Sequence, residues 1–118
     1  MGRQGAIFDP VLRQEAVYKC TQSSTDPPAI AYTLKNTVEK FITAPVFAYT
    51  SPGLYTLTKT GAFTTDKTVV VVQSANAAAR VCNIVYTSAN VVTFTWMDAA
   101  TPTAAESGAF DLYIYIYN

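Results

Sequence analysis

From Thr37 onward, short runs of β-branched and aromatic residues alternate with clusters of Gly, Pro, Asn, Asp and Ser. That is the pattern of strands separated by turns. Runs 37–43, 46–50, 54–60, 68–73, 81–87, 91–97 and 110–117 are each expected to be strands. Within 81–97, Cys82, Ile84 and Tyr86 alternate with Val81, Asn83, Val85 and Thr87; Val92, Phe94 and Trp96 then alternate with Thr93, Thr95 and Met97. Only Ser88-Ala89-Asn90 separates the two runs, so a hairpin with a readable core face is predicted. Ser51-Pro52-Gly53 is turn chemistry of the same kind. The run from Thr68 to Val72 does not alternate, which predicts a strand buried on both faces, either central or covered by a partner.

Before Thr37 the period breaks down. Gly2, Gly5, Asp9-Pro10 and the run from Ser23 to Pro28 interrupt it, and residues 1–36 are expected to form an irregular arm. A short helix near 10–19 fits Asp9 as N-cap with Pro10 at the first helical position. Asp26-Pro27-Pro28 then predicts an extended linker or strap, because each proline restricts itself and its predecessor. The small-residue stretches 74–79 and 99–108 are loops, and no internal repeat is visible. The expected fold is all-β: a two-sheet antiparallel sandwich or jelly roll over 37–118, preceded by the arm.

A chain of 118 residues suits one core. No apolar run approaches the ~20 residues of a bilayer-spanning helix, and Met1 to Ala6 carry no leader pattern, so a soluble, non-exported protein is expected. Eight basic and eight acidic side chains cancel, which argues against nucleic acid or an anionic membrane as partner. After Arg80 no Lys or Arg remains, leaving one end of the chain acidic. Histidine is absent, and with it go the Ser-His dyad and the usual zinc and iron ligand sets. The carboxylates form no close pair in sequence, and the five glycines make no phosphate-binding loop. Asp98 and Asp111, with Asn83 or Asn90, are the only oxygen set worth considering for calcium; their spacing matches no ligand loop, and capping of turns is the favoured role. Cys20 and Cys82 make no CxxC motif and are expected as free buried thiols, with a cross-fold disulfide as the alternative. Neither enzyme activity, cofactor nor metal is predicted.

The last strand carries the sharpest functional signal. Phe110, Leu112, Ile114 and Ile116 share one face, and Asp111, Tyr113, Tyr115 and Tyr117 share the other. A ladder of tyrosines offers large rings with polar tips, as interfaces and sugar platforms do. Such a ladder lies beneath a strand or arm of its own chain, or it meets a second subunit or a glycan. Val46-Phe47-Ala48-Tyr49 and Leu54-Tyr55-Thr56-Leu57 have similar two-sided apolarity. The candidate protein-interface residues are therefore Tyr113, Tyr115, Tyr117, Phe47, Tyr49 and Tyr55, covered in a closed homo-oligomer, with a trimer expected.

The motif Gly53-Leu54-Tyr55-Thr56-Leu57-Thr58, the valine strand Val69 to Val72, the hairpin run Val91 to Met97 and the closing Phe110-Asp111-Leu112-Tyr113-Ile114-Tyr115-Ile116-Tyr117 together resemble small tailed-phage virion proteins. Bacteriophage capsid decoration (cement) proteins and tail-fibre tips share this Thr-, Ala- and Val-rich texture over 37–118, although no single motif carries a residue role across. The resemblance implies a viral structural protein, made in the host cytoplasm and resident in the virion, with the capsid or another virion protein as partner. Size and the lack of a heptad stalk favour the decoration role over a head-fibre or tail-fibre receptor-binding tip. An arm of 36 residues spans about 120 Å at ~3.3 Å per residue, enough to strap a neighbour. The rival is a carbohydrate-binding adhesive module using the tyrosines or Trp96; Trp96 shares the face of Phe94 and Val92, which points to the core.

Overall fold

The computed structural model describes residues 13–117. Eight strands build two four-stranded sheets: β1 (Arg13–Thr21), β2 (Ala29–Asn36), β3 (Val46–Ser51), β4 (Leu54–Thr58), β5 (Thr68–Ser74), β6 (Arg80–Ser88), β7 (Val91–Asp98) and β8 (Phe110–Tyr117). The sheet orders are β2-β1-β8-β5 and β3-β4-β7-β6, with every pair antiparallel. The fold is the predicted all-β two-sheet sandwich, and the β6–β7 hairpin forms as its alternation requires.

The inner faces follow the period of two. Tyr55 and Leu57 from β4, Val92, Phe94 and Trp96 from β7, and Phe110, Leu112 and Ile114 from β8 are buried. Phe110 bridges the layers, with its ring centroid 5.2 Å from Trp96 and 5.9 Å, edge-on, from Phe47. Burying a large apolar side chain of this kind contributes about 2–3 kcal/mol. Cys20 is buried and Cys82 half-buried, both free; burial pushes both thiols up to about 12.

Five expectations need correction. Residues 13–36 are not an arm: β1 sits inside its sheet between β2 and β8, and β2 completes a hairpin with it. The part of the expected helix over 13–19 is strand, because Ala16, Tyr18 and Cys20 alternate inward and are buried; residues 10–12 lie outside the described residues, as does the rest of the expected arm before them. The proline-bounded segment is the hairpin's loop, closed by Asp26 N–H to Ser23 O at 3.1 Å and by Gln22 Nε2 to Ser24 O at 2.9 Å.

Residues 37–43 do not form a strand either. Asn36 turns the chain: its Oδ1 accepts the Val38 N–H at 3.0 Å, and its Nδ2 donates to Phe41 O at 2.9 Å. A 3₁₀ turn (Glu39–Phe41) follows and drops Phe41 into the core. The valine strand β5, finally, is an edge strand and not a central one, with Val69 and Val71 each 43% exposed on its outer side.

Candidate functional site

The outer face of the β2-β1-β8-β5 sheet gathers the chain's aromatic and valine side chains into rows set by register. Tyr113 lies between Val17 of β1 and Val71 of β5, and Tyr115 lies between Glu15 and Val69. Tyr117 pairs with Arg13, and Asp111 lies between Lys19 and Gln73. Tyr113 and Tyr115 are half-buried by these neighbours, while Tyr117 is 41% exposed. The parts of Tyr113 and Tyr115 that these neighbours leave uncovered, with Tyr117, face outward from the sheet.

Charges surround this patch. The Arg13 guanidinium lies 4.9 Å from the Tyr115 ring centroid, a cation–π distance. Glu15 pairs with Lys35 of β2 and with Arg13 at 3.9 Å, and Lys19 pairs with Asp111 at 3.0 Å. The Lys35 ammonium hydrogen-bonds the Glu15 carboxyl and holds it below its ordinary range. A hydrogen bond with Tyr117 raises Arg13 above its ordinary value. The cations are exposed and the two carboxylates partly covered, and pairs at such a surface orient side chains more than they stabilise the fold.

At the end of this sheet, beside Tyr117, lies a cleft of about 240 Å³ lined in part by Gln14, Glu39, Lys40 and Lys67. Its polar groups are largely engaged with one another: Gln14 donates to Glu39 at 2.9 Å, and the Lys40 ammonium donates to Gly61 O at 2.7 Å.

Of the six residues expected at an interface, the structure brings Tyr113, Tyr115 and Tyr117 together on one surface and places the other three elsewhere. Tyr55 is fully buried and Phe47 is 8% exposed, both in the chain's own core. Tyr49 points inward, its ring centroid 5.7 Å from Tyr55. The reason is Glu106, on the β7–β8 loop. Its carboxylate accepts the Tyr49 hydroxyl at 2.8 Å, the Tyr55 hydroxyl at 3.1 Å and the Gly53 N–H at 2.8 Å. The Tyr55 oxygen in turn accepts the Ser107 N–H at 3.0 Å. Burial, with Glu106 alongside, pushes the Tyr49 phenol up to about 12. These polar tips are satisfied inside the chain and are unavailable to a partner.

Sequence reasoning missed Val17, Arg13, Glu15 and Lys35 because they lie in the supposed arm. The alternation Ala16, Tyr18, Cys20 was the signal that would have placed Arg13, Glu15 and Val17 on a strand, and thus on this face; Lys35, on β2, has no such signal. The oxygen set considered for calcium is dispersed. Asp98 accepts the Ala100 and Thr101 N–H groups at 2.8 and 3.2 Å, which holds its carboxyl below the ordinary range. Asp111 faces Lys19 on the other sheet, and Asn90 accepts the Gly61 N–H at 2.7 Å. The described residues contain no group of three or more Cys, Asp or Glu side chains placed to hold a metal ion.

Set against protein-family models, curated proteins and solved structures, the chain matches none of them.

Proposed function

We propose that this chain is a non-enzymatic structural protein of a virion, a decoration subunit that docks on the capsid shell through its tyrosine face. The observation that carries the reading is the composition of that face: Tyr113, Tyr115, Val17, Val69 and Val71 in contiguous rows, enclosed by Arg13, Glu15, Lys19, Lys35 and Asp111. An aromatic centre with a charged rim is how protein interfaces concentrate binding energy while keeping the free protein soluble. The rings and valines make a patch of a few hundred Å², the size of the functional patch that a monomer's surface carries. The chain's texture favours a shell as the partner surface.

Co-sedimentation of the purified chain with undecorated capsids of the same virus tests the proposal. Wild type is expected to pellet with capsids, and the double variant Tyr113→Ser, Tyr115→Ser to stay in the supernatant with an unchanged emission spectrum of the buried Trp96. Binding that ignores the double substitution, or no binding by wild type, overturns the reading.

A receptor-binding role is the second reading, as a fibre tip or a carbohydrate-binding adhesive module. One observation favours it: the exposed Tyr117 and half-buried Tyr113 and Tyr115, beside Arg13, Glu15 and Asp111, offer a sugar both ring surface and hydrogen-bond partners. Tyrosine-dependent binding on a glycan array, without capsid binding, would place the chain there.

A further inference from the structure

The opposite face of the sandwich has a different chemistry. The outward positions of β3, β4, β7 and β6 form rows such as Ala48, Thr56, Thr93, Val85 and Leu54, Thr95, Asn83. Among the described residues, no Asp, Glu, Lys or Arg projects from this face, in a chain that carries eight basic and eight acidic side chains. Arg80 and Asp98, at the strand ends, pair with each other at 3.4 Å. Val46 is 67% exposed, and Val81 and Val85 are each 48% exposed. A solvated sheet face ordinarily alternates into polar residues; this one is polar through its threonines and Asn83 yet uncharged, and exposed valines interrupt it.

We infer that this face is a self-association surface, on which a second copy of the chain stacks sheet to sheet about a two-fold axis. Charge selects the occupant. An uncharged patch gains nothing from a charged partner, whose groups would lose water without finding a counter-charge, and it meets itself with no like-charge opposition. Shape points the same way. Two sheets pack face to face when their twists match, crossing at about −30° and about 10 Å apart; an identical sheet matches by construction, and threonines keep the surface shallow.

Area is sufficient but small. Four strands at ~4.8 Å spacing and about seven residues at ~3.3 Å cover roughly 19 Å by 23 Å, about 450 Å² per copy. A stacked pair thus buries about 900 Å², or somewhat more with side-chain relief, below the ~1,200 Å² of stable complexes and in the range of weak, transient ones. The dimer is accordingly a reversible, micromolar one.

Growth through the sheet edges is hindered. On β5 the Val70 N–H is taken by the Tyr86 hydroxyl at 2.9 Å. The β1–β2 pairing has register shifts at Val17/Tyr18 and Lys19/Cys20, and β6 has one at Tyr86/Ser88. Irregularities of this kind spoil edge-to-edge addition. A patch that pairs with itself closes as a two-fold, whereas a three-fold ring needs two different patches, so this face gives a dimer. The inference is independent of the tyrosine face, which such a dimer would display twice, on opposite outer sides.

Sedimentation equilibrium of the full chain over about 1 to 200 µM is the test. Wild type should show a reversible monomer–dimer equilibrium. Thr93→Lys, at the centre of the face, should weaken it at least about tenfold while the urea midpoint stays close to wild type. Val85→Lys, at an exposed position on edge strand β6, carries the same test should Thr93→Lys fail to fold. Tyr115→Lys should dimerise as wild type does. A wild type that remains monomeric, a mass above dimer, or a dimer broken by Tyr115→Lys and spared by Thr93→Lys and Val85→Lys overturns the inference; loss of capsid binding alone does not bear on it.

Discussion

Replacing Gly53 by alanine should be the most damaging single-methyl change in this protein, and the structure says by how much. Gly53 ends the β3–β4 turn at φ +74°, and a Cβ built there lies 2.6 Å from Ala105 O and closer still to Trp96 O. Gly61 has a similar φ of +68°, yet its Cβ would meet only the Lys40 ammonium, at 3.7 Å. Both substitutions incur the left-handed backbone cost of about 1–2 kcal/mol. Only Gly53→Ala must also push the turn away from the β7–β8 loop. That movement weakens the Trp96 N–H to Gly53 O bond and the Gly53 N–H to Glu106 bond, both 2.8 Å. At about 1 kcal/mol for the neutral bond and about 2 kcal/mol for the one to a carboxylate, Gly53→Ala should cost about 3–5 kcal/mol against about 1–2 for Gly61→Ala. For a domain whose whole stability is about 5–15 kcal/mol, the difference is large. Urea denaturation followed by the fluorescence of Trp96, the single tryptophan, reads it directly. With a slope of about 1–2 kcal/mol per molar, the two midpoints should differ by roughly 1–3 M. Equal midpoints, or a milder Gly53→Ala, would refute the claim that the loop's close approach is what demands glycine there.

Other outcomes follow from the same structure. Glu106→Gln removes one of the two acceptor oxygens that hold Tyr49, Tyr55 and Gly53, and should cost about 1.5–3 kcal/mol in urea; the Tyr49 phenol should move only part of the way back toward its ordinary 10.0 in a spectrophotometric titration, since burial is the larger cause of its shift. Cys20, buried, should react with a thiol reagent such as Ellman's only at the rate of unfolding, and half-buried Cys82 should react faster than Cys20. Their folded values of about 12 against an ordinary 9.0 mean that the stability they contribute is complete below pH 9.0 and is lost as pH rises toward 12, visible as a falling urea midpoint. At the acid end the sign reverses. Glu15 and Asp98, held below their ordinary 4.5 and 3.8, contribute stability above those values that is lost as pH falls through their folded ones. Glu15→Gln should therefore flatten the acid limb of the midpoint–pH curve, and an unchanged limb would count against the Lys35 pairing.

The strands from β3 onward were determined by the sequence itself, and for β7 and β8 so was the buried face. Val92, Phe94, Trp96 and Phe110, Leu112, Ile114 repeat every second residue, and period two admits only one buried side once a core exists. The same local rule placed the three tyrosines of β8 on one outer surface. Tertiary structure decided everything that depends on residues far apart in the chain. Nothing local distinguishes the interface-like Tyr49 and Tyr55 from the ladder tyrosines; they turn inward because Glu106, some fifty positions away, supplies the acceptors that let two phenols be buried. Asn36 overrode the β-branched run after it by binding backbone on both sides of a turn. The N-terminal hairpin looked like an arm because β2 is almost wholly exposed and carries little alternation, yet β1 gains its place between β2 and β8 by long-range pairing. The charge-free outer face of the second sheet exists only once β3, β4, β7 and β6 lie side by side. Local propensity chooses a strand and its buried side, but only the assembled sheet decides which outward residues become neighbours, and therefore what kind of surface the protein presents.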